Sequence, residues 1–401
     1  MSKRGNTEGT IYQEPSGRWR VEMTLGYVSG RRVRKKLRFE TQREAREALT
    51  KLRRELDQGI EPGDDRMTMR RFLEKWLTEC VEGAMSTLRP NTRVSYASLT
   101  RNHLIPGLGH HLMAKLSPVH VQAFLTAKSS EKIKGADDDA RLSPRTVRYI
   151  LILLRRSLRQ AMRWGLVARN VATLVDPPRM QRREAQALTM EEATALLASV
   201  KANRLRALFT VAVALGLRRG EIVGLRWEHV DLKTGVLRVR EQLQRVRHVR
   251  NAAKEIVERK GLVVSEPKSD KSRRTLRIPS HLVDELREHK ARQTAERLAA
   301  GPAWSDTGYA FTTETGAPLD GRNLLRRWQT SLKASGLPAM PFHASRHTAA
   351  SLLLAQGVPL HVVMEILGHS QIALTANTYA HVMENLHDDA AEKMDAFLRR
   401  G

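Results

Sequence analysis

Apolar and polar positions alternate from Arg18 to Leu25, with Trp19, Val21, Met23 and Leu25 on one side and Arg20, Glu22 and Thr24 on the other. A period of two predicts a half-buried strand. Pro15-Ser16-Gly17 before it and Ser29-Gly30 after it are turn signals. A second strand is expected from Arg31 to Glu40. Thr41 and Glu44 then have the spacing of a capping box, in which a hydroxyl and a carboxylate each bond the other's backbone N–H, so a helix opens there and runs to about Gly59. Glu61-Pro62-Gly63-Asp64-Asp65 reads as a linker.

From Met67 to Val175 the period becomes helical. Phe72, Trp76 and Leu77 share a helical face. Ser117-Pro118 and Ser143-Pro144 each pair an N-cap with a proline at the first helical position. The helix expected from Pro144 to Gly165 carries an apolar stripe of Val147, Ile150, Leu151, Leu154 and Leu158. Its other faces carry Arg145, Arg148, Arg155, Arg156, Arg159 and Arg163, which read as a solvated face or as a face against phosphates. Lys132 to Leu142 reads as a loop. Asp176-Pro177-Pro178 halts the structure, and a basic linker follows. Thr189 and Glu192 form a second capping box. The expected domains are therefore an N-terminal module with its linker over 1–66, a helical domain over 67–175, a linker over 176–188 and a third domain over 189–401.

Composition narrows the partner. Lys and Arg number 69 against 43 Asp and Glu, a formal net charge of +26. Such an excess repels itself unless a polyanion neutralises it. The longest apolar run, Leu208 to Leu217, is half of the ~20 residues that a bilayer span needs, so no membrane partner is expected. No apolar stretch follows Met1, and Cys80 is the single cysteine, so the bacterial cytoplasm is the expected place. Aromatic residues are only 5%, which disfavours stacking platforms for single strands and leaves duplex DNA gripped by its phosphates. The strand from Arg31 concentrates this charge: Arg31, Arg32, Arg34, Lys35, Lys36 and Arg38 are six cations in eight residues. It reads as a protected sheet edge or, better, as a nucleic-acid surface.

Candidate chemistry lies in the third domain. Gly216-Leu217-Arg218-Arg219-Gly220-Glu221 comes first. Pro267-Lys268-Ser269-Asp270-Lys271-Ser272-Arg273-Arg274 follows, flanked by strand-like Leu262-Val263-Val264 and Thr275 to Pro279, so Lys268 alone would read as a hairpin lysine. Then come His343-Ala344-Ser345-Arg346-His347, Leu367-Gly368-His369, and Tyr379 ten residues on. His343 and His347 have a zinc-compatible spacing, but the sequence supplies neither the glutamate of a His-Glu-x-x-His motif nor a cysteine partner, and no metal or other cofactor is expected.

In set and order these segments resemble the catalytic domain of the tyrosine recombinases, the phage integrase family. The resemblance is strong from about Thr189 to Tyr379 and looser over the helical segment, which looks like the family's core-type DNA-binding domain. The first ~60 residues look like the small arm-type DNA-binding domain of many phage integrases. The fold this implies is multidomain and mainly α: a small α+β module, a helical domain, and a mostly helical catalytic domain with a short antiparallel sheet. The implied catalytic set is Arg218, Lys268, His343, Arg346, His369 and Tyr379, with Glu221 orienting the arginines. Lys268 is expected on a β-turn, with Lys271 as the alternative three residues along. Candidate DNA contacts are Arg31, Arg32, Arg34, Lys35, Lys36, Arg38, Arg148 and Arg155. The implied partners are double-stranded DNA at attachment sites, three further copies of the chain on that DNA, and DNA-bending or excisionase proteins. The late stripe of Met383, Leu386, Ala390, Met394 and Phe397 packs either on its own domain or on a neighbouring protomer. A Xer-like dimer resolvase, a DNA-relaxing topoisomerase and a non-catalytic DNA-binding regulator are the alternatives.

Overall fold

The computed structural model describes residues 9–28, 31–57, 66–132, 140–180, 186–246, 249–250, 256–258, 261–267, 272–368, 394–395 and 398–399. The chain divides into two compact units, one over Met1–Gln181 with Ala252–Lys254 and the other over Arg182–Asn251 with Glu255–Gly401.

The first unit opens with a three-stranded antiparallel sheet of β1 (Thr10–Gln13), β2 (Trp19–Val28) and β3 (Arg31–Phe39), followed by α1 (Gln42–Asp57). The period of two in β2 does what it predicts: Val21 and Met23 are buried against Ala45, Leu49 and Leu52 of α1. Thr41 and Glu44 exchange the two hydrogen bonds of a capping box at the start of α1. The pairing of β2 with β3 sets Glu22 opposite Lys36 and Arg20 opposite Arg38 on the face away from this core. There Glu14 pairs with Arg20 (2.8 Å) and Arg38 (3.1 Å), and Glu22 pairs with Arg34 (3.2 Å) and Lys36 (3.5 Å). Three of the six cations of the basic strand, Arg34, Lys36 and Arg38, are thus paired with two carboxylates of their own module. Lys35 falls on the other face, opposite Met23.

A separate helical core follows. It is built by α2 (Met69–Trp76), α3 (Pro90–Leu99), α4 (Ile105–Leu108), α5 (Pro118–Ser130) and α6 (Pro144–Arg163). Wider π-type turns over Leu77–Val81 and Thr100–Leu104 continue α2 and join α3 to α4. The whole predicted stripe of α6 is buried, with Leu153 and Ala161 added to it. Ser143 and Ser117 cap their helices as their spacing to proline requires, and His120 completes the box at Ser117. Lys132 and Arg141 bridge the ends of the expected loop.

The second unit contains α7 (Met190–Ser199), α8 (Arg206–Leu215), α9 (Arg219–Val223), α10 (Ser280–Ala300), α11 (Gly321–Ala334), α12 (Ala344–Ala355) and α13 (Leu360–Leu367). Helix α8 is apolar almost all round and forms the centre of the core, packed by α7, α10 and α12. The unit also holds short antiparallel sheets: β4 (Val230–Asp231), β5 (Val236–Val239) and β10 (Arg274–Arg277) in one, β6 (Gln242–Arg245) with β9 (Leu262–Ser265) in a second, and β7 (Val249–Arg250) with β8 (Ile256–Glu258) in a third. Lys268 itself lies outside the described residues, but the two strands that flank it are described. Strand β9 pairs with β6 and β10 with β5, so among the described residues the two strands do not pair with each other. Among the described residues no helix is long and apolar enough to cross a membrane.

Candidate active site

Helix α8 ends at Leu215, and the next residue, Gly216, is left-handed at φ 58°. A Cβ there would stand 2.5 Å from Leu367 Cδ2 and 3.0 Å from Ala349 Cβ, so only glycine lets α8 end against α12 and α13. This turn delivers Arg218 in an extended conformation to the start of α9. Glu221, 2% exposed, accepts from the Arg218 backbone N–H at 3.0 Å and from Arg218 Nη1 at 2.7 Å. Its Oε2 also accepts from Nη2 of Arg274 at 3.0 Å. Burial alone would raise the Glu221 pKa; the guanidiniums of Arg274 and then Arg218 outweigh it and hold the carboxyl below the usual carboxylate range.

The other wall is the end of α13. The last carbonyls of a helix lack intrahelical donors and sit at the negative end of its dipole, so cations suit them. Three successive carbonyls here each receive a different arginine. Arg274 Nε donates to Ile366 O (2.6 Å), Arg346 Nη2 to Leu367 O, and Arg218 Nη2 to Gly368 O (3.2 Å). Arg346 Nη1 also donates to Gly216 O at 2.9 Å, which ties the ends of α8 and α13 to one side chain. The side chain of Arg218 is 35% exposed, whereas Arg346 is 1% exposed. Three guanidiniums against the single carboxylate of Glu221 leave these four groups with a charge of +2.

His343 stands just before α12, with part of its surface open to solvent and the rest against the protein, and its ring centroid lies 5.0 Å from that of His347. Partial desolvation first, then the positive fields of His347, Arg346 and Arg218, push its pKa down to about 4. It is therefore a neutral imidazole near pH 7, able to accept a proton. Among the described residues no cluster of three or more His, Cys, Asp or Glu side chains is arranged to hold a metal.

A family model described as the phage integrase family matches residues 186–385, and one for a phage integrase N-terminal SAM-like domain matches residues 68–129. A curated relative, the tyrosine recombinase XerC-like protein of Caldanaerobacter subterraneus subsp. tengcongensis, is 31% identical over 95% of this chain and 96% of its own. The chain belongs to the phage integrase family. As a member it is a tyrosine-type site-specific recombinase. Its fold is shared with the Tn1549 transposon integrase solved with transposon right end DNA (TM-score 0.63, 19% identity, 82% of this chain and 99% of that one). It is also shared with a lambda integrase tetramer solved on a Holliday junction (TM-score 0.53, 17% identity, 94% of this chain and 96% of that one).

Of the residues that the sequence singles out, the structure brings Arg218, Glu221, His343 and Arg346 together. Lys268, its alternative Lys271, His369 and Tyr379 lie outside the described residues, as does the late stripe except Met394. Arg148 is exposed on α6. Arg155, a candidate DNA contact, is employed inside its own domain: Nε donates to Ala172 O (2.8 Å) and Nη2 to Val175 O (3.0 Å), fastening α6 to the turn that follows it. The backbones of Arg31 and Arg32 belong to β3, while their side chains lie outside the described set. Sequence reasoning missed Arg274 as a member of the site. Its signal was present in the alternation of β10, where Arg274 and Leu276 point inward and Thr275 and Arg277 outward.

Proposed function

We propose that this recombinase is an integrase, which cuts and rejoins duplex DNA at attachment sites and so integrates and excises a phage or other mobile element. The Tyr379 hydroxyl attacks the scissile phosphorus, and the bond from phosphorus to the 5′ oxygen breaks. The phenolic proton passes to a histidine, His343 or His369, and Lys268 protonates the departing 5′ oxygen. The product is a 3′-phosphotyrosine and a free 5′ hydroxyl. Attack by the 5′ hydroxyl of a partner strand reverses each step, so the bond energy is kept and no cofactor is consumed. The phosphorane formed on the way carries added negative charge, which Arg218 and Arg346 balance without any risk of losing their own protons. What supports this reading above all is the seating of those two guanidiniums on adjacent carbonyls at the end of α13, beside an imidazole kept neutral.

The same reading takes residues 1–66 as an arm-type DNA-binding module, 67–175 as the core-type domain, 176–188 as a linker and 189–401 as the catalytic domain. It sets four copies on paired attachment sites in the bacterial cytoplasm, with DNA-bending or excisionase proteins as further partners. Resolution of chromosome dimers is the second reading, favoured by the relative named XerC-like.

Tyr379→Phe tests the chemistry. Loss of one oxygen leaves the phosphate contacts in place, so the variant is expected to bind attachment DNA as the wild type does and to form no detergent-stable adduct on a nicked duplex. An adduct of undiminished yield overturns the assignment. Recombination between two copies of one chromosomal site, without any need for residues 1–66, would instead favour dimer resolution.

A further inference from the structure

Arg274 is 5% exposed at its side chain, so it is too enclosed to serve as a general surface contact for DNA. Its fork is nevertheless fully used within the site. Nε holds Ile366 O, Nη1 holds Ser272 O at 3.2 Å, and Nη2 holds Glu221 Oε2. One planar group thus joins three pieces of chain: β10 and the segment before it, the acid at the start of α9, and the end of α13. Ser272 also approaches Arg218, its Oγ lying 3.4 Å from Nη1.

We infer that Arg274 is a positioning residue for the phosphate clamp: it neutralises Glu221 and fixes the end of α13, and so leaves the charge of Arg218 to the phosphate. The inference rests on the recombinase reading above. Its physical basis is competition for one guanidinium. A carboxylate as buried as Glu221 must be compensated. With Arg274 present, two cations share that task. Without it, Arg218 alone answers Glu221 and is drawn toward it, and the four-group charge of +2 falls to +1. The carbonyl of Ile366 also loses its donor, which frees the backbone on which Arg346 and Arg218 are seated. Arg274 touches no reacting atom, so its loss acts through Arg218 and Arg346.

The test uses the full-length protein and two versions of the nicked attachment duplex, one with the natural scissile phosphate and one with a methylphosphonate. A methyl in place of a non-bridging oxygen removes the negative charge that the clamp answers. Arg274→Gln is expected to bind both duplexes within a few-fold of wild type and to melt near it. At saturating DNA its rate of adduct formation should fall roughly 10- to 100-fold on the phosphate, as for a small misplacement of a catalytic group. On the methylphosphonate the deficit should shrink to a few-fold, the pattern also expected of Arg218→Ala. Arg274→Lys keeps the charge but not the fork and should show an intermediate version of the same pattern. Equal deficits on both duplexes, a wild-type rate on the phosphate, or failure of both variants to fold would each overturn the inference. Failure of the wild type itself to form an adduct would instead strike the recombinase reading.

Discussion

Among single residues, His343 departs from ordinary titration, and the sign of the consequence follows directly. An unfolded histidine titrates near 6.5, and the folded one near 4. Between those values the unfolded chain binds a proton that the folded chain refuses. Stability from this group is therefore present above pH ~6.5 and is lost as pH falls toward 4. His343→Gln removes the contribution. The melting temperature of the wild type is expected to drop further between pH 7 and pH 4.5 than that of the variant; parallel curves would show that His343 carries no such penalty. Bound DNA acts the other way, because a phosphate beside the ring favours the imidazolium. The identity of His343, Arg346, Arg218 and Glu221 was legible in the sequence because each lies in a short motif. The sharing of Glu221 between Arg218 and Arg274 was not, since the two arginines are 56 positions apart and only the fold makes them neighbours.

For the elements, the sensitive point is the turn between α8 and α9. Gly216→Ala forces an L residue into left-handed geometry, at a cost of about 1–2 kcal/mol, and drives its Cβ against Leu367. Leu367 and Gly216 both give their carbonyls to Arg346. Denaturant unfolding should register the lost stability, and adduct formation should fall more than DNA affinity does. Full retention of both would mean that the ends of α8 and α13 are not held in register by this contact. Local signals read well at this scale: the boxes at Thr41 and Thr189 form, and the stripe of α6 is buried. Strand pairing read poorly. The partner of β9 begins 20 positions upstream and that of β10 begins 38 upstream, with nothing nearby to mark either. The four residues of β1 are too few to carry a period, and the π-type turns leave no signature that separates them from ordinary helix.

For the molecule as a whole, charge decides what the first module contributes. A chain lacking residues 1–66 is expected to cleave a short core site and to lose recombination on the full attachment DNA, because linked contacts raise effective concentration. Four cations and two carboxylates share the described open face of β2 and β3. The salt slope of binding should accordingly fall by about two units for this face, and not by one for each cation. A truncated chain that recombines long DNA as well as the full one does would make the module a stabilising cap. The seating of three arginines on peptide carbonyls bears on how such a protein tolerates mutational drift. A backbone acceptor is supplied by every amino acid, so replacing Ile366 or Leu367 with another apolar residue leaves the donor–acceptor pairs chemically intact. Intolerance is confined to changes of backbone course: a proline, an insertion, or a side chain at Gly368, whose φ is 67°. A catalytic cradle of this kind can persist while the letters around it change, leaving a motif only a few residues long to be read.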